Sequence, residues 1–238
     1  MSILLEVCID SIESAMAAKQ GGADRLEVCS SLAVEGTTPS YGLVKRCVDH
    51  VRLPVMMMIR PHDGGFVCSD ADIDSMLSDI EIGHSVGVQG FVFGVLTEER
   101  KVNVEKCRRL LTATGSRETT FHRAFDVVPN PIEAFDLIIE MGFNRLLTSG
   151  QATDAEQGIP LIRQLCDRAK DGIVVLPGAG IDAENAKAIV DATGVNELHT
   201  AAHVEAKSGQ SGEHVSFGNH RNVASDKVIS AIKQSVTP

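Results

Sequence analysis

The sequence predicts an α/β protein, a TIM-like (β/α)8 barrel, on three observations. First, eight short apolar runs rich in β-branched residues recur: Leu5–Ile9, Arg25–Cys29, Val55–Ile59, Gly90–Leu96, Thr119–Phe125, Arg145–Thr148, Ile173–Leu176 and Glu197–Ala201. Second, their starts at 5, 25, 55, 90, 119, 145, 173 and 197 leave room each time for one helix and two loops. Third, the 238 residues match the roughly 250 typical of such barrels, and no linker or low-complexity segment interrupts the series. One domain, 1–238, is therefore expected. An open doubly wound sheet fits less well, because no Gly-x-Gly-x-x-Gly follows the first run.

The intervening stretches carry helical spacing and start signals. Ser11 leads Ile12, Ala15 and Met16, and Ser69-Asp70-Ala71-Asp72 reads as a capping box ahead of Ile73, Met76, Leu77 and Ile80. Pro131 opens a helix through Ile132, Phe135 and Ile138. Asp182 is placed as the cap of Ala186, Ile189 and Val190, and a last helix is expected over Asp226–Gln234. The segment 202–222, with three glycines and His203, His214 and His220, reads as a loop that could serve as a mobile lid.

Charge narrows the partners. With 22 basic and 32 acidic residues the net charge is −10, which argues against a nucleic-acid surface and against adhesion to an anionic membrane. No apolar run approaches the ~20 residues of a bilayer span, and the N-terminus lacks the basic and apolar regions of a signal peptide. A soluble, cytoplasmic protein is expected, and its six cysteines, without any Cys-x-x-Cys, are expected as free thiols. All nine lysines fall outside the strand ends, so a Schiff-base aldolase is not expected.

Strand alternation sorts the side chains. If Leu5, Val7, Ile9, Leu26 and Val28 meet the helices, then Glu6, Cys8, Glu27 and Cys29 face the pore. The same parity turns Met56, Met58, Arg60, Thr120, His122, Glu197 and His199 inward, and Met57, Phe121 and Leu198 outward. Buried charges need partners, so Glu6, Glu27, Arg60 and His122 are expected to share one network. Barrels place their sites at the C-terminal strand ends, where Arg60, His122, Arg123, Asp126, Ser149 and His199 lie. Two readings stand for this group: pore filling, or a site for a small, anionic metabolite. In the second, Glu27, Arg60, His122, Asp126 and His199 are the catalytic candidates. His122 or Glu27 would be the base, and Arg60 or Arg123 the anion clamp.

Cys8 and Cys29 end two like strands, Leu5-Glu6-Val7-Cys8 and Leu26-Glu27-Val28-Cys29. Neighbouring strands lie ~4.8 Å apart, so their sulfurs read either as core packing or as a soft pair suited to Cu(I). Cys47, Cys107 and Cys166 sit on apolar helical stripes and read as packing residues, as do Met56, Met57 and Met58. Gly178, Ala179 and Gly180 form a turn after the seventh strand. It is placed at the start of a helix, where it would be either a plain turn or an anion-binding corner.

Taken together, several motifs resemble the CutC copper-homeostasis family. They are the two Leu-Glu-Val-Cys runs, Gly36-Thr37-Thr38-Pro39-Ser40, Met58-Ile59-Arg60-Pro61, Thr120-Phe121-His122-Arg123-Ala124-Phe125-Asp126, Leu147-Thr148-Ser149-Gly150 and Pro177-Gly178-Ala179-Gly180. The resemblance implies a TIM-like barrel, a cytosolic location, a role in copper tolerance, Cu(I) binding with Cys8 and Cys29 as ligands, and self-association as a homo-oligomer. His62, Ala179 and His203 depart from the family pattern.

Overall fold

The structure, a computed structural model, describes residues 3–170, 172–206, 210–211, 216–217 and 221–237. Eight strands make the barrel: β1 (Leu4–Ile9), β2 (Arg25–Val28), β3 (Val55–Met58), β4 (Gly90–Phe93), β5 (Glu118–Phe121), β6 (Arg145–Thr148), β7 (Val174–Pro177) and β8 (Glu197–Thr200). They pair in parallel in the order β7-β6-β5-β4-β3-β2-β1-β8. Among the described residues no ladder joins β7 to β8, so the barrel has a seam there. At that seam the backbone of Gly178 lies against His199: a Cβ on Gly178 would come within 3.3 Å of the histidine.

Eight helices surround the strands: α1 (Ile12–Gly21), α2 (Tyr41–Arg46), α3 (Asp70–Val86), α4 (Val104–Thr114), α5 (Pro131–Met141), α6 (Ile159–Ala169), α7 (Ala186–Thr193) and α8 (Asp226–Ser235). The start signals act as expected in three cases. Ser11 accepts from the Ser14 amide, Ser69 and Asp72 form a reciprocal capping box, and Pro131 stands at the start of α5. At α7 the expectation fails. Asp182 accepts from the amides of Glu184 and Asn185, which makes a local turn, and the helix is entered from Asn185. The glycine turn at 178–180 therefore does not abut the helix N-terminus.

β4 and β5 stop well short of their apolar runs. Gly94 follows β4 because a Cβ there would sit 2.9 Å from His122 Nδ1. Beyond β5, His122 accepts from the Ala124 amide and turns the chain into a 3₁₀ helix, Arg123–Val127. The expected loop 202–222 departs in the other direction. Its ends pair antiparallel as β9 (His203–Ala206) and β12 (Arg221–Ala224), with Val204 opposite Val223. Two short strands, β10 (Gln210–Ser211) and β11 (Ser216–Phe217), also pair, while His214 and His220 lie outside the described residues.

Packing follows the parity rule. Leu5, Val7, Leu26, Met57, Phe121 and Leu198 belong to the large core between strands and helices. Cys29, Met56, Met58 and Val92 form a separate small cluster inside the barrel. Each fully buried Leu or Phe contributes roughly 1.5–3 kcal/mol, so the outer layer holds the barrel together. Cys47 and Cys107 are buried in that layer, and Cys166 packs partly buried against it.

Candidate functional site

The lower pore is filled by charge. Arg25 opens β2 and Arg145 opens β6, both turned inward by the alternation that carries Glu27. Arg25 binds Glu6 Oε2 through Nε and Glu197 Oε2 through Nη2, at 2.5 and 2.6 Å. Arg145 binds Glu197 at 3.1 Å and also pairs with Glu118. Sequence reasoning missed both arginines, although stepping back two residues from Glu27 and Leu147 would have found them.

Above this chain a cavity of about 350 Å³ opens at the C-terminal strand ends, with Cys8, Glu27, Met58, Arg60, His122 and His199 in its wall. Register explains which groups meet. The two Leu-Glu-Val-Cys runs suggest Cys8 beside Cys29, but β1 and β2 pair with Cys8 opposite Glu27 and Glu6 opposite Arg25. On the other side of β1, Glu6 stands opposite His199. The stagger brings together Cys8 Sγ, a Glu27 oxygen and a His199 nitrogen, all within 4.8 Å of one another and all buried. Cys29 joins through Glu27: its thiol donates to Glu27 Oε2 at 3.5 Å.

Hydrogen bonds fix the histidine. His199 Nδ1 meets Glu6 Oε1 at 2.8 Å, and Nε2 lies 3.8 Å from Glu27 Oε2. Burial opposes charge here, yet the Cys8 thiol and the Glu27 and Glu6 carboxylates hold His199 well above its usual pKa. Burial likewise opposes ionisation of Glu6, but Arg25 and His199 hold it down to about 2. Glu27 has no arginine in contact, and burial pushes it up to about 6. Burial also raises both thiols; His199 offsets part of the rise at Cys8, whereas at Cys29 the neighbouring Glu27 carboxylate adds to it. Glu27 Oε1 is buried without a hydrogen-bond partner, an expense that a purely structural carboxylate would avoid.

Arg60 and His122 line the same cavity but do not share the Glu6–Glu27 network expected of them. The Arg60 guanidinium donates to four carbonyls, those of Val34, Gly36, Asp63 and Gly64, at 2.7, 2.8, 3.1 and 2.7 Å. It thereby clamps the loops after β2 and β3, and it lies 5.3 Å over the Phe66 ring. His122 packs on that ring at 5.0 Å, and burial together with Arg60 lowers its pKa to about 3. The imidazole is neutral, with Nδ1 the acceptor and Nε2 the protonated nitrogen. Asp126 is spent on Arg123 Nε, Thr148 Oγ1 and the amides of Ser149 and Gln151, and is not among the cavity-lining residues. The single Ser149 hydroxyl proton is shared between the Ala152 carbonyl at 2.7 Å and Asp126 Oδ2 at 3.1 Å. In the turn after β7, Ala179 and Gly180 line the cavity with positive φ of 83° and 68°, whereas Gly178 packs on Leu147 and His199.

No helix among the described residues is long and apolar enough to cross a membrane. The sequence model of the CutC family matches residues 3–204. A human copper homeostasis protein cutC homolog is 44% identical over 206 residues, covering 87% of this chain and 76% of its own. A CutC family protein of Pasteurella multocida is 45% identical over 195 residues, covering 82% and 80%. The crystal structure of CutC from Streptococcus agalactiae superimposes with a TM-score of 0.80 at 32% identity, covering 84% of this chain and 98% of that one. Phosphoribosylanthranilate isomerase of Thermotoga maritima, at 14% identity and TM-score 0.61, shares the fold alone. Motifs, barrel and comparisons agree, and the chain belongs to the CutC family.

Proposed function

We propose that this chain serves copper homeostasis by binding Cu(I) at the mouth of its barrel, with Cys8 and His199 as ligands and Glu27 beside them. The observation that supports it is the closeness of the three donor groups, within 4.8 Å of one another in a buried position. A thiolate and an imidazole suit a soft monovalent ion, and Cu(I) accepts two or three such ligands. The unpartnered Oε1 of Glu27 leaves a negative group available beside the cation. Because Cys8 and His199 must both release a proton before they ligate, affinity rises with pH. Anaerobic competition against a Cu(I) chelator tests the reading. Cys8→Ala and His199→Gln are each expected to weaken binding by more than about tenfold, or ~1.4 kcal/mol. Unchanged affinity in the Cys8→Ala/Cys29→Ala protein would overturn it.

A second reading, a small anionic metabolite bound at the same mouth, is favoured by Arg60, a buried cation in the cavity wall whose four hydrogen bonds all go to carbonyls. The turn at Gly178, Ala179 and Gly180 would complete the anion site, with Glu27 or His122 as the base. A thermal shift on adding inorganic phosphate, abolished by His122→Ala, would support it. No shift removes it.

A further inference from the structure

Two arginines line the cavity at the mouth, and they spend their donors differently. Arg60 gives both Nη nitrogens to four loop carbonyls, so it brings charge to the cavity but has no terminal donor left for a ligand. Arg123 is anchored on one side only. Its Nε donates to Asp126 Oδ2 at 2.9 Å, and Asp126 is itself fixed by Thr148 Oγ1 and the amides of Ser149 and Gln151. Its Nη1 meets Glu35 Oε2 at 3.0 Å, and its Nη2 reaches Ser149 Oγ only at 3.5 Å. The Glu35 side chain is 73% exposed, so this ion pair is solvated, contributes little and exchanges readily. Glu35 also lines the cavity, at a φ of 66° that a residue with a Cβ rarely adopts. Arg60 imposes that conformation by holding the carbonyls of Val34 and Gly36, the residues on either side. The backbone that aims Glu35 into the mouth is thus fixed, while its carboxylate can turn away by rotation of the side chain.

From this arrangement we infer that Arg123, and not Arg60, receives the oxyanion group of a small metabolite at the mouth, and that the Glu35 carboxylate is a built-in stand-in which the ligand displaces. This rests on the anionic-metabolite reading above and deepens it by naming the clamp and what competes for it. A guanidinium held still by Asp126 and already carrying a carboxylate displays the chemistry it accepts. Exchange is required, because Glu27 and Glu35 both line the cavity and a further anion would meet their negative charge unless Glu35 left. His203 offers a second contact in the same wall: among the described residues its Nε2 is buried without a partner. A cavity of about 350 Å³ suits a small molecule.

The test measures apparent affinity for inorganic phosphate, from saturable thermal shifts of the copper-free protein at constant ionic strength. Arg123→Met should weaken binding by at least about tenfold. Glu35→Gln should tighten it about threefold to fivefold, the worth of a solvated ion pair that no longer has to be broken. Glu140→Gln, which removes an exposed carboxylate paired with Arg108 away from the cavity, should leave affinity unchanged. Asp126 keeps its other donors when Arg123 is replaced. Arg123→Lys, with the charge but not the fork, should bind with intermediate affinity, and Glu35→Gln alters only an exposed side chain. Unchanged affinity in Arg123→Met overturns the clamp. No gain in Glu35→Gln, or an equal gain in Glu140→Gln, overturns the stand-in. The anionic-metabolite reading survives either result, since phosphate still binds. No shift in the unmutated chain removes that reading and the inference with it.

Discussion

The two ends of the barrel interior solve the same problem in opposite ways. At the base, Glu6, Arg25, Glu197, Arg145 and Glu118 form a chain in which each carboxylate meets a guanidinium, and one atom, Arg145 Nη1, lacks a partner. At the mouth, Glu27 faces a thiol and a histidine, and Cys8 and Met58 border open space. Alternating ion pairs repay their desolvation and leave little capacity for a ligand. Imperfectly paired donors cost stability and remain available to something else. The charged residues at the base thus act as scaffold, and the less satisfied ones at the mouth are those the proposed function uses.

Removing a member of the base chain should have the largest effect. Arg25→Met strands Glu6 and Glu197 without their shared cation, and breaking a buried pair from one side costs about 3–5 kcal/mol. The drop should appear in the urea midpoint at neutral pH. An unchanged midpoint would show that the base is not a structural network and would dissolve the contrast with the mouth.

A smaller, pH-dependent effect belongs to the mouth. His122 titrates near 6.5 when unfolded and at about 3 when folded, so between those values the unfolded chain binds the extra proton. Stability from this group is complete above pH 6.5 and is lost progressively as pH falls toward 3. Between pH 7 and pH 5 the loss is about 2 kcal/mol. Glu27 has the opposite sign: its folded pKa of about 6 exceeds the unfolded 4.5, so its contribution is present below 4.5 and disappears as pH rises through 6. That offsets about 1 kcal/mol over the same interval. Urea titrations of the copper-free protein at pH 5 and 7 check both. His122→Asn should flatten the acid-side loss, and Glu27→Gln should steepen it. If neither variant changes the slope, the two groups are not buried in the states assigned to them.

Much of this was legible in the sequence, and what escaped it lies beyond a single strand or a local pattern. Period-two alternation placed Glu6, Glu27, Met58, Glu197 and His199 inside and Met57, Phe121 and Leu198 outside, because that choice depends on one strand at a time. Register depends on two strands. The repeated Leu-Glu-Val-Cys runs invite a match of Cys8 with Cys29, but barrel closure staggers the strands and sets Cys8 opposite Glu27. The expected Glu6–Glu27–Arg60–His122 network failed for another reason. Arg60 is taken by four carbonyls of loops whose paths no local pattern encodes. Asp182 misled differently, since an aspartate accepting amides two and three residues on looks the same in sequence whether or not a helix follows.

The smallest expected effect separates strain from packing at the mouth. Ala179 holds φ at 83°, a left-handed conformation that costs a residue with a Cβ roughly 1–2 kcal/mol. Ala179→Gly relieves that cost but returns about 0.5–1 kcal/mol to the unfolded chain as entropy, so stability should rise by at most about 1.5 kcal/mol. Strain of this kind persists where the surroundings impose it, and the Ala179 carbonyl is held by the Ala155 amide at 3.0 Å. Thermal unfolding with and without Cu(I) checks the point. A small gain in the copper-free protein with unchanged copper affinity would make the turn a strained rim around the site. A loss of stability would mean instead that the Ala179 methyl packs the cavity wall, and the mouth would then share more of the scaffold role assigned here to the base.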